Sequence, residues 1–398
     1  MKVLVLGTAG VSKLEYMSAV WTIACDQNIC PGGARSSRAD KFLVVRDLDK
    51  ELEQKKGGYA QYGVYLSETD QDEQEKDWSS ACENVIQDVG QLNPQHAFLL
   101  IHGVYFRNKT FRSMLDMNLL RKFSPTLILV LIEDAYDVVA RIERKEKAAG
   151  TRSRCMMSEA IEWRTVETMV GNLLSRNLNP VKRIPIFVVA RKHPPEMVYQ
   201  LLFERWRLIV YLAFPISQVR HNRKAVSQIN EFRSAFADDF TVFDPVTIDE
   251  YPITRTRPPR IKRWPGLASD VDGLRGMTVS AFKALEEDIR KTIELRDFLL
   301  VDQSNCLVAY RPFYGRRESP SSGVDSEMSQ CLNRGKPLFV VHDEKVDGPL
   351  TSARLMFKPM ASATAIKPRI DEILKEVKLT QNARQQKWEK EGLPNTWE

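Results

Sequence analysis

One carboxylate, Glu327, follows a predicted strand at a position where α/β proteins can use it for chemistry. The apolar run Cys306–Tyr310 is typical of a buried strand, and Leu338–Val341 is typical of the next one. Between them Ser321 starts a helical segment that Gly335 ends, which is the order of one parallel βαβ unit. Ligands of open α/β sheets bind at the carboxyl ends of the strands, where this helix begins. A carboxylate there can stabilise, or bond to, a carbon that becomes positively charged. Alternatively, Glu327 is a solvated carboxylate that the helix dipole favours.

The first predicted strand leads into a segment that is similar to a phosphate-binding loop. Gly7-Thr8-Ala9-Gly10-Val11-Ser12-Lys13-Leu14 follows an apolar run, and the intact motif G-x-x-x-x-G-K-[ST] wraps phosphates with backbone N–H groups. Gly7, Gly10 and Lys13 fit this motif. Ser12 replaces its second glycine, and Leu14 has no oxygen to offer Mg²⁺. The segment is predicted either to bind a nucleotide or phosphate through Gly7, Gly10, Ser12 and Lys13, or to be a purely structural turn.

Length and patterning predict an α/β protein of two parallel-sheet, three-layer domains. A chain of 398 residues is too long for one ordinary core. Apolar runs typical of buried parallel strands recur along it, at 97–101, 127–132, 186–190 and 208–213. We place the domains at 1–204 and 205–398. The chain from Ala365 to Glu398 is predicted to be largely a charged helix with Ile370, Ile373, Leu374 and Val377 on one face, which packs on the second domain or on a second subunit.

The first half, over about residues 1–200, resembles archaeal-type adenylate kinases and related P-loop nucleoside monophosphate kinases. In that family arginines like those at 141, 144, 152 and 154 form a lid over the phosphates; alternatively, these arginines lie on a solvated helix face with i,i+4 pairs. The strand at 97–101 runs into His102-Gly103, where the family usually carries an Asp that helps to hold Mg²⁺. With Leu14, two metal contacts are missing. The resemblance therefore implies a degenerate kinase that binds a nucleotide without transferring phosphate.

The second half, over about residues 208–345, resembles the nucleoside 2-deoxyribosyltransferase family, and is closest to the 2′-deoxynucleoside 5′-monophosphate N-glycosidases. The family's fold is flavodoxin-like. Its strand-end Tyr matches Tyr211, and its Asp placed eight residues before a central strand matches Asp297, with Asp302 as a neighbouring competitor. Its Glu placed four residues after a loop Gly matches Glu327 after Gly323. The resemblance implies that Glu327 is the nucleophile or oxocarbenium stabiliser, and that Asp297 helps to protonate the leaving base.

The same resemblance points to a substrate with a 5′-phosphate. Six residues before the Glu, the transferases carry an Asp whereas the monophosphate hydrolases carry a Ser, and this chain has Ser321. A hydroxyl at a helix N-terminus suits a phosphate that a carboxylate would repel, although Ser321 can also serve as an N-cap. The predicted phosphate-binding residues are Ser321, Ser322, Gly323, Ser217 and Arg220. The loop at 214–217 lacks the usual Gly, and Arg220 could instead begin an exposed basic helix.

Further expectations concern partners and environment. The net charge of +6 is mild, and the basic, Pro-rich stretch Tyr251–Trp264 could be a substrate lid, a protein contact or a nucleic-acid patch; without other basic tracts we do not expect nucleic acid. The glycosidase reaction requires no cofactor, and no His lies at metal-ligand spacing. Scattered Cys residues, an N-terminal strand in place of a signal peptide and no long apolar run predict a cytoplasmic protein without membrane spans. The family resemblance implies a homo-oligomer, a dimer or larger.

Together these observations predict an N-glycosidase that hydrolyses the base–sugar bond of a (2′-deoxy)nucleoside 5′-monophosphate, joined to a nucleotide-binding pseudokinase domain. Two alternatives remain at this point. The same Glu chemistry would serve a glycohydrolase of NAD or another dinucleotide. The missing Mg²⁺ ligands and the loop at 214–217 are also consistent with a nucleotide sensor that has no catalytic activity.

Overall fold

A computed structural model describes residues 1–27, 39–107, 109–150, 155–217, 219–250, 279–312, 321–342, 360 and 362–391. The predicted basic stretch Tyr251–Trp264, Arg152, Arg154 and the chain end at 392–398 lie outside these residues. The described chain divides into two compact units. The first contains residues 1–196 with the opening of one helix at 279–285, and the second contains residues 197–250 and 286–391.

Parallel strands build the sheet of the first unit. Its strands are β1 (Lys2–Leu6), β2 (Leu43–Asp47), β3 (His96–Leu100), β6 (Leu127–Ile132) and β7 (Ile186–Ala190), with a separate antiparallel hairpin of β4 (Tyr105–Arg107) and β5 (Thr110–Arg112). The sheet order is β2-β3-β1-β6-β7, so β1 is central. All six residues of β6 are buried, because a parallel strand inside an α/β domain is covered on both faces.

Helices connect these strands. They are α1 (Lys13–Asp26), α2 (Ala39–Phe42), α3 (Leu48–Lys55), α4 (Tyr59–Glu68), α5 (Gln71–Leu92), α6 (Met117–Phe123), α7 (Ala135–Ala148) and α8 (Met157–Asn177). Aspartates start several of them: the side chains of Asp47, Asp70 and Asp116 accept backbone N–H groups at the starts of α3, α5 and α6. Gly171 lets α8 pack closely on β6, because a Cβ there would lie 2.6 Å from Val130 Cγ2.

The second unit has its own parallel sheet of five strands. They are β8 (Ile209–Ala213), β9 (Thr241–Phe243), β10 (Cys306–Tyr310), β11 (Leu338–Val341) and β12 (Ala365–Lys367), in the order β12-β11-β10-β8-β9. Its helices are α9 (Pro195–Phe203), at whose first turn the two units divide, α10 (Arg223–Ala237), α11 (Val279–Gln303), α12 (Ser322–Asn333) and α13 (Ile370–Glu391). Numbered along the chain, the strands run 2-1-3-4-5 from β9 to β12.

Side-chain alternation assigns the two faces of this sheet. Val210 and Leu212 of β8 join a core that includes Phe232 of α10 and Val377 of α13. Because neighbouring residues of a strand point to opposite faces, Tyr211 points to the other face. That face carries α12, which contacts β8, β10 and β11. The strand thus sends apolar side chains to one helical layer and a phenol to the other.

The predicted α/β class with two parallel sheets is confirmed. The predicted start of the C-terminal helix is wrong. We expected a helix from Ala365, but Ala365–Lys367 is strand β12, paired with β11, and the helix begins at Ile370. The physical reason is Pro368, which favours an extended Lys367 before it and offers no N–H to a strand ladder. No helix among the described residues combines the length and the apolar character that a bilayer crossing requires.

Two glycines inside helices provide a matched test of the close packing of α8 on β6. Gly171→Ala should lower the free energy of unfolding by about 1–2 kcal/mol, because the new methyl overpacks against buried β6. Gly90→Ala should raise it by about 0.5–1 kcal/mol, because Gly90 lies in α5 with nothing within 4 Å of its Cβ position and alanine is the better helix former. Urea denaturation of both variants checks the pair. Equal stabilisation by both changes would contradict the close packing of α8 on β6.

Candidate active site

A hydrogen bond between two buried side chains defines the site of the second unit. Tyr211 Oη donates to Glu327 Oε1 at 2.8 Å. Tyr211 is fully buried in the middle of β8, and Glu327 is 7% exposed. Glu327 lies in the second turn of α12, which starts after the carboxyl end of β10. The hydrogen bond therefore joins β8, the first strand of the unit, to α12, the helix that follows the third strand, β10.

The other oxygen of the Glu327 carboxyl has a different environment. Glu327 Oε2 is buried, and no described residue forms a hydrogen bond with it. A buried carboxylate oxygen without a partner is costly, and in a native structure it indicates a place that a ligand or water occupies. Of the two oxygens of Glu327, one is thus held in position by Tyr211, and the other is buried without a hydrogen bond to the described residues.

Asp297 and Arg296 of α11 complete the charged surroundings. Arg296 lies 3.1 Å from Asp297 Oδ1 and 3.6 Å from Glu250 Oε2. Asp297 also acts electrostatically on both Glu327 and Tyr211. The guanidinium of Arg296 thus interacts with the carboxyl groups of Glu250, Asp297 and Glu327.

Burial sets the protonation behaviour of this cluster. Loss of water raises the pKa of Glu327 well above its ordinary value, and the charge of Asp297 raises it further, while the Tyr211 hydrogen bond and Arg296 lower it. Burial also raises the pKa of Asp297, and Arg296 opposes that shift. Two carboxyl groups that repel each other in a dry site share one proton over an intermediate pH range. That state supplies one acid and one base together.

The first turn of α12 holds three of the predicted phosphate-binding residues. Ser321 is buried and caps the helix, its Oγ accepting the N–H of Val324 at 3.5 Å. Ser322 and Gly323 are exposed at the first helical positions, where N–H groups have no intrahelical acceptor. A Cβ on Gly323 would meet only Ser321 Oγ, at 4.0 Å, so packing does not require glycine there.

The remaining predicted residues of this unit lie around the site or away from it. Arg220 forms a buried, bidentate ion pair with Asp249 at 2.7 and 2.8 Å, so its charge is already balanced. Ser217 is half-buried in the segment after β8. Asp302 is at the opposite, amino end of β10, where it pairs with Arg334 at 2.7 Å. Asp297, rather than its competitor Asp302, therefore shares the environment of Glu327.

The loop of the first unit is held by the protein itself. Gly7 and Gly10 allow close contacts, because a Cβ would lie 2.7 Å from Leu131 O at Gly7 and 2.7 Å from Val138 O at Gly10. Ser12, in place of the second motif glycine, adopts the left-handed conformation with φ of 57°, at a cost that glycine would avoid. Arg141 donates to Gly10 O at 2.7 Å. This arginine of the predicted lid thus anchors the loop.

Lys13 and Glu167 engage the loop's polar atoms. Lys13 Nζ donates to Gly7 O at 2.8 Å and lies 3.7 Å from Asp49 Oδ2, with His102 Nδ1 at 3.0 Å. Glu167 accepts the N–H of Gly7 at 2.9 Å, and those of two residues after β3. Burial raises the pKa of Glu167 to about 7. The same burial, with the charge of Lys13, lowers the pKa of His102 well below its ordinary value, so this imidazole is neutral.

A buried acidic group also lies beyond β6, formed by Glu133, Asp134 and Asp137. The ammonium group of Lys192 bonds to both Asp134 and Asp137, and Arg141 pairs with Glu133 at 2.8 Å. Protein cations thus already balance these carboxylates, and the group gives no argument for a metal ion.

Sequence reasoning missed several residues of both sites. Arg296, Glu250 and Asp249 were not singled out, although the two acids follow β9 at the sheet edge where ligands bind, a signal that the sequence contained. Asp49 and Glu167 of the first unit gave no such signal, because only the fold brings them to the loop. Compared with known proteins, the chain matches no protein-family model and no curated protein.

The buried Glu327 predicts a stability effect that depends on pH. Because the folded state raises the pKa of Glu327 above 4.5, the native protein binds this proton more tightly than the unfolded chain, and stability falls as pH rises above that value. Glutamine has no proton to lose. The free energy of unfolding of Glu327→Gln relative to wild type should therefore increase from pH 4 to pH 8, measured by urea denaturation.

Glu287→Gln is the control for this measurement. Glu287 is exposed, and the hydrogen bond from Lys291 lowers its pKa, so its replacement should show no gain with rising pH. A pH-independent difference for Glu327→Gln would contradict a buried, proton-binding carboxyl at this position.

Proposed function

We propose that the second unit is an N-glycosidase that hydrolyses the base–sugar bond of a (2′-deoxy)nucleoside 5′-monophosphate. The observation that carries the proposal is the state of Glu327: its Oε1 accepts from Tyr211 at 2.8 Å, and its buried Oε2 has no partner among the described residues. Cleavage of an N-glycosidic bond builds positive charge on C1′ and the ring oxygen. A fixed, desolvated carboxylate opposes that charge most effectively.

The arrangement of the strands supports this proposal. The order 2-1-3-4-5 in the second unit is the flavodoxin-like order, whose switch point lies between its first and third strands. In this unit those strands are the neighbours β8 and β10. Tyr211 belongs to β8 and Glu327 to the helix after β10, so the pair stands where such folds bind ligands. This is also the fold that the resemblance to the deoxyribosyltransferase family implies.

The reaction assigns one task to each side chain. Glu327 Oε2 approaches C1′ and either bonds to it or stabilises the oxocarbenium ion, while the bond between C1′ and the base nitrogen breaks. Asp297 donates its proton to the departing base, and Arg296 orients its carboxyl group. Water then adds its hydroxyl to C1′ and returns a proton to Asp297; where Glu327 Oε2 has bonded to C1′, this bond breaks in the same step and the carboxylate is released. The products are a free base and a sugar 5-phosphate.

In this proposal the 5′-phosphate lies at the first turn of α12. The N–H groups of Ser322 and Gly323 and the helix dipole favour an anion there, and Ser321 replaces the carboxylate that would repel it. Arg220 has a positioning role, because its guanidinium is already bound by Asp249. The glycosidase chemistry uses no metal or cofactor.

Activity assays with the full chain test the assignment. We expect release of free base from at least one nucleoside monophosphate of a deoxy and ribo panel, detected by chromatography. Glu327→Gln should lower kcat by about 10²–10⁴-fold, the range for loss of a group that acts on the reacting atoms, and Asp297→Asn by about 10²-fold.

Asp302→Asn is the matched control. Asp302 lies in the same helix as Asp297, α11, but it pairs with Arg334 at the opposite, amino-terminal edge of the sheet. The variant should retain wild-type activity. If no compound of the panel releases base at high enzyme concentration, the proposal fails. Release of nicotinamide from NAD alone, lost in Glu327→Gln, would replace the substrate class with a dinucleotide.

The shared proton predicts a bell-shaped pH profile of kcat/KM. Activity requires one proton on the pair of Glu327 and Asp297, so it should fall at low pH as the pair gains a second proton and at high pH as the pair loses its last one. Burial raises both pKa values, so the maximum should lie above the ordinary range of carboxyl groups. Asp297→Asn should remove the alkaline limb only. A profile unchanged in that variant would exclude Asp297 as the acid.

A further inference from the structure

The first unit contains a cavity that the proposed glycosidase reaction does not use. Its volume is about 450 Å³, within the range of small-molecule sites. Aromatic side chains form much of its wall: Tyr59, Tyr62, Tyr105, Phe106 and Trp163. Phe106 and Trp163 contact each other at 6.0 Å between ring centroids, and Trp163 Nε1 donates to Val104 O at 3.0 Å. These contacts hold the wall in place.

The electrostatics of this cavity do not suit a polyphosphate. Among the described residues that line it, the basic side chains are Lys13, Lys50, Arg107 and Lys145. The acidic side chains are Glu15, Asp47, Asp49 and Glu53. Four formal positive charges thus meet four negative ones. Sites that hold phosphates concentrate positive charge and backbone N–H groups.

The phosphate-binding atoms of the loop are also engaged elsewhere. The N–H of Gly7 donates to Glu167, and Lys13 donates to Gly7 O. The ammonium group of Lys13 further lies beside Asp49, which compensates its charge. A phosphate entering the cavity would have to compete with these internal partners.

Two buried polar atoms of the cavity wall form no well-formed hydrogen bond with the described part of the chain. They are the hydroxyl of Tyr62 and Asp49 Oδ2. Tyr62 is 7% exposed, and burial raises the pKa of its hydroxyl, so it remains a donor. Asp49 Oδ1 accepts from Tyr105 at 2.5 Å, whereas Oδ2 has longer contacts, to the ammonium group of Lys13 at 3.7 Å and to the imidazole of His102 at 3.4 Å. The hydroxyl of Tyr62 lies beside that of Tyr105, whose own proton goes to Asp49 Oδ1. The wall therefore offers one donor and one acceptor beside aromatic rings, neither of them in a well-formed hydrogen bond with the described part of the chain.

From these observations we infer that the cavity of the first unit binds a flat nitrogen heterocycle, a nucleobase or nucleoside, through aromatic stacking and through hydrogen bonds from Tyr62 and to Asp49, and not through phosphate groups. Aromatic rings can stack on a purine or on a pyrimidine, and a hydrogen-bond donor with an acceptor matches the polar edge of such a base. This ligand differs from the phosphate that the loop motif suggested. The inference does not depend on glycosidase activity in the second unit.

Calorimetric titration of the full chain tests the inference, in the Glu327→Gln background so that no ligand is consumed. The panel contains free bases, nucleosides, and their mono- and triphosphates. We expect a base or nucleoside to bind at least as tightly as its phosphorylated forms. The comparison of base with nucleoside shows which of the two is the ligand.

Tyr62→Phe should weaken this binding about fivefold to tenfold, because it removes a single hydrogen bond. Tyr65→Phe is the matched control in the same helix: its hydroxyl donates to Asp77 at 3.0 Å, and Tyr65 does not line the cavity. Thermal melting verifies that both variants fold. Affinity that rises with each added phosphate, equal binding by the two variants, or no binding of any heterocycle would overturn the inference.

Discussion

The free-energy cost of burying charged side chains determines many of the polar contacts inside both units of this protein. A carboxylate removed from water costs several kcal/mol unless a cation or several N–H groups compensate it. Most buried acids here have such compensation. Glu167 accepts three backbone N–H groups, Asp249 accepts a bidentate arginine, and Asp134 and Asp137 share the ammonium group of Lys192. These pairs connect segments that are distant in sequence, and they hold the loops at the carboxyl ends of the strands.

Two of the carboxyl oxygens that depart from this rule lie in the candidate active site of the second unit and in the cavity wall of the first. Glu327 Oε2 and Asp49 Oδ2 are buried without a hydrogen-bond partner among the described residues. In each case the other oxygen of the same carboxyl group is held by a tyrosine hydroxyl, from Tyr211 or Tyr105. A tyrosine hydroxyl orients the carboxyl group through one oxygen and leaves the other oxygen to interact with a ligand. The proposed glycosidase reaction uses the first of these oxygens, and the proposed binding of a heterocycle uses the second.

The loop at Gly7 shows how similar residues can serve packing instead of phosphate. Its glycines permit contact with Leu131 and Val138, and its lysine closes back on Gly7 O. Arg141, which the kinase resemblance would place over phosphates, donates to Gly10 O. The polar atoms that a phosphate would need are therefore bound within the protein, and the aromatic wall next to them becomes the more favourable surface for a ligand.

The sequence by itself determined the α/β class and the parallel strands, because apolar runs are local signals. It also placed Glu327 correctly in a helix after a strand. It could not establish that Tyr211 donates to Glu327, or that Asp49 and Glu167 meet the loop at Gly7, because these contacts join residues 36 to 160 positions apart. At the chain end, the preference of Pro368 for an extended neighbour overrode a helical pattern. Only the tertiary structure decided which carboxyl groups are compensated, since desolvation and pairing depend on neighbours that the order of residues does not specify.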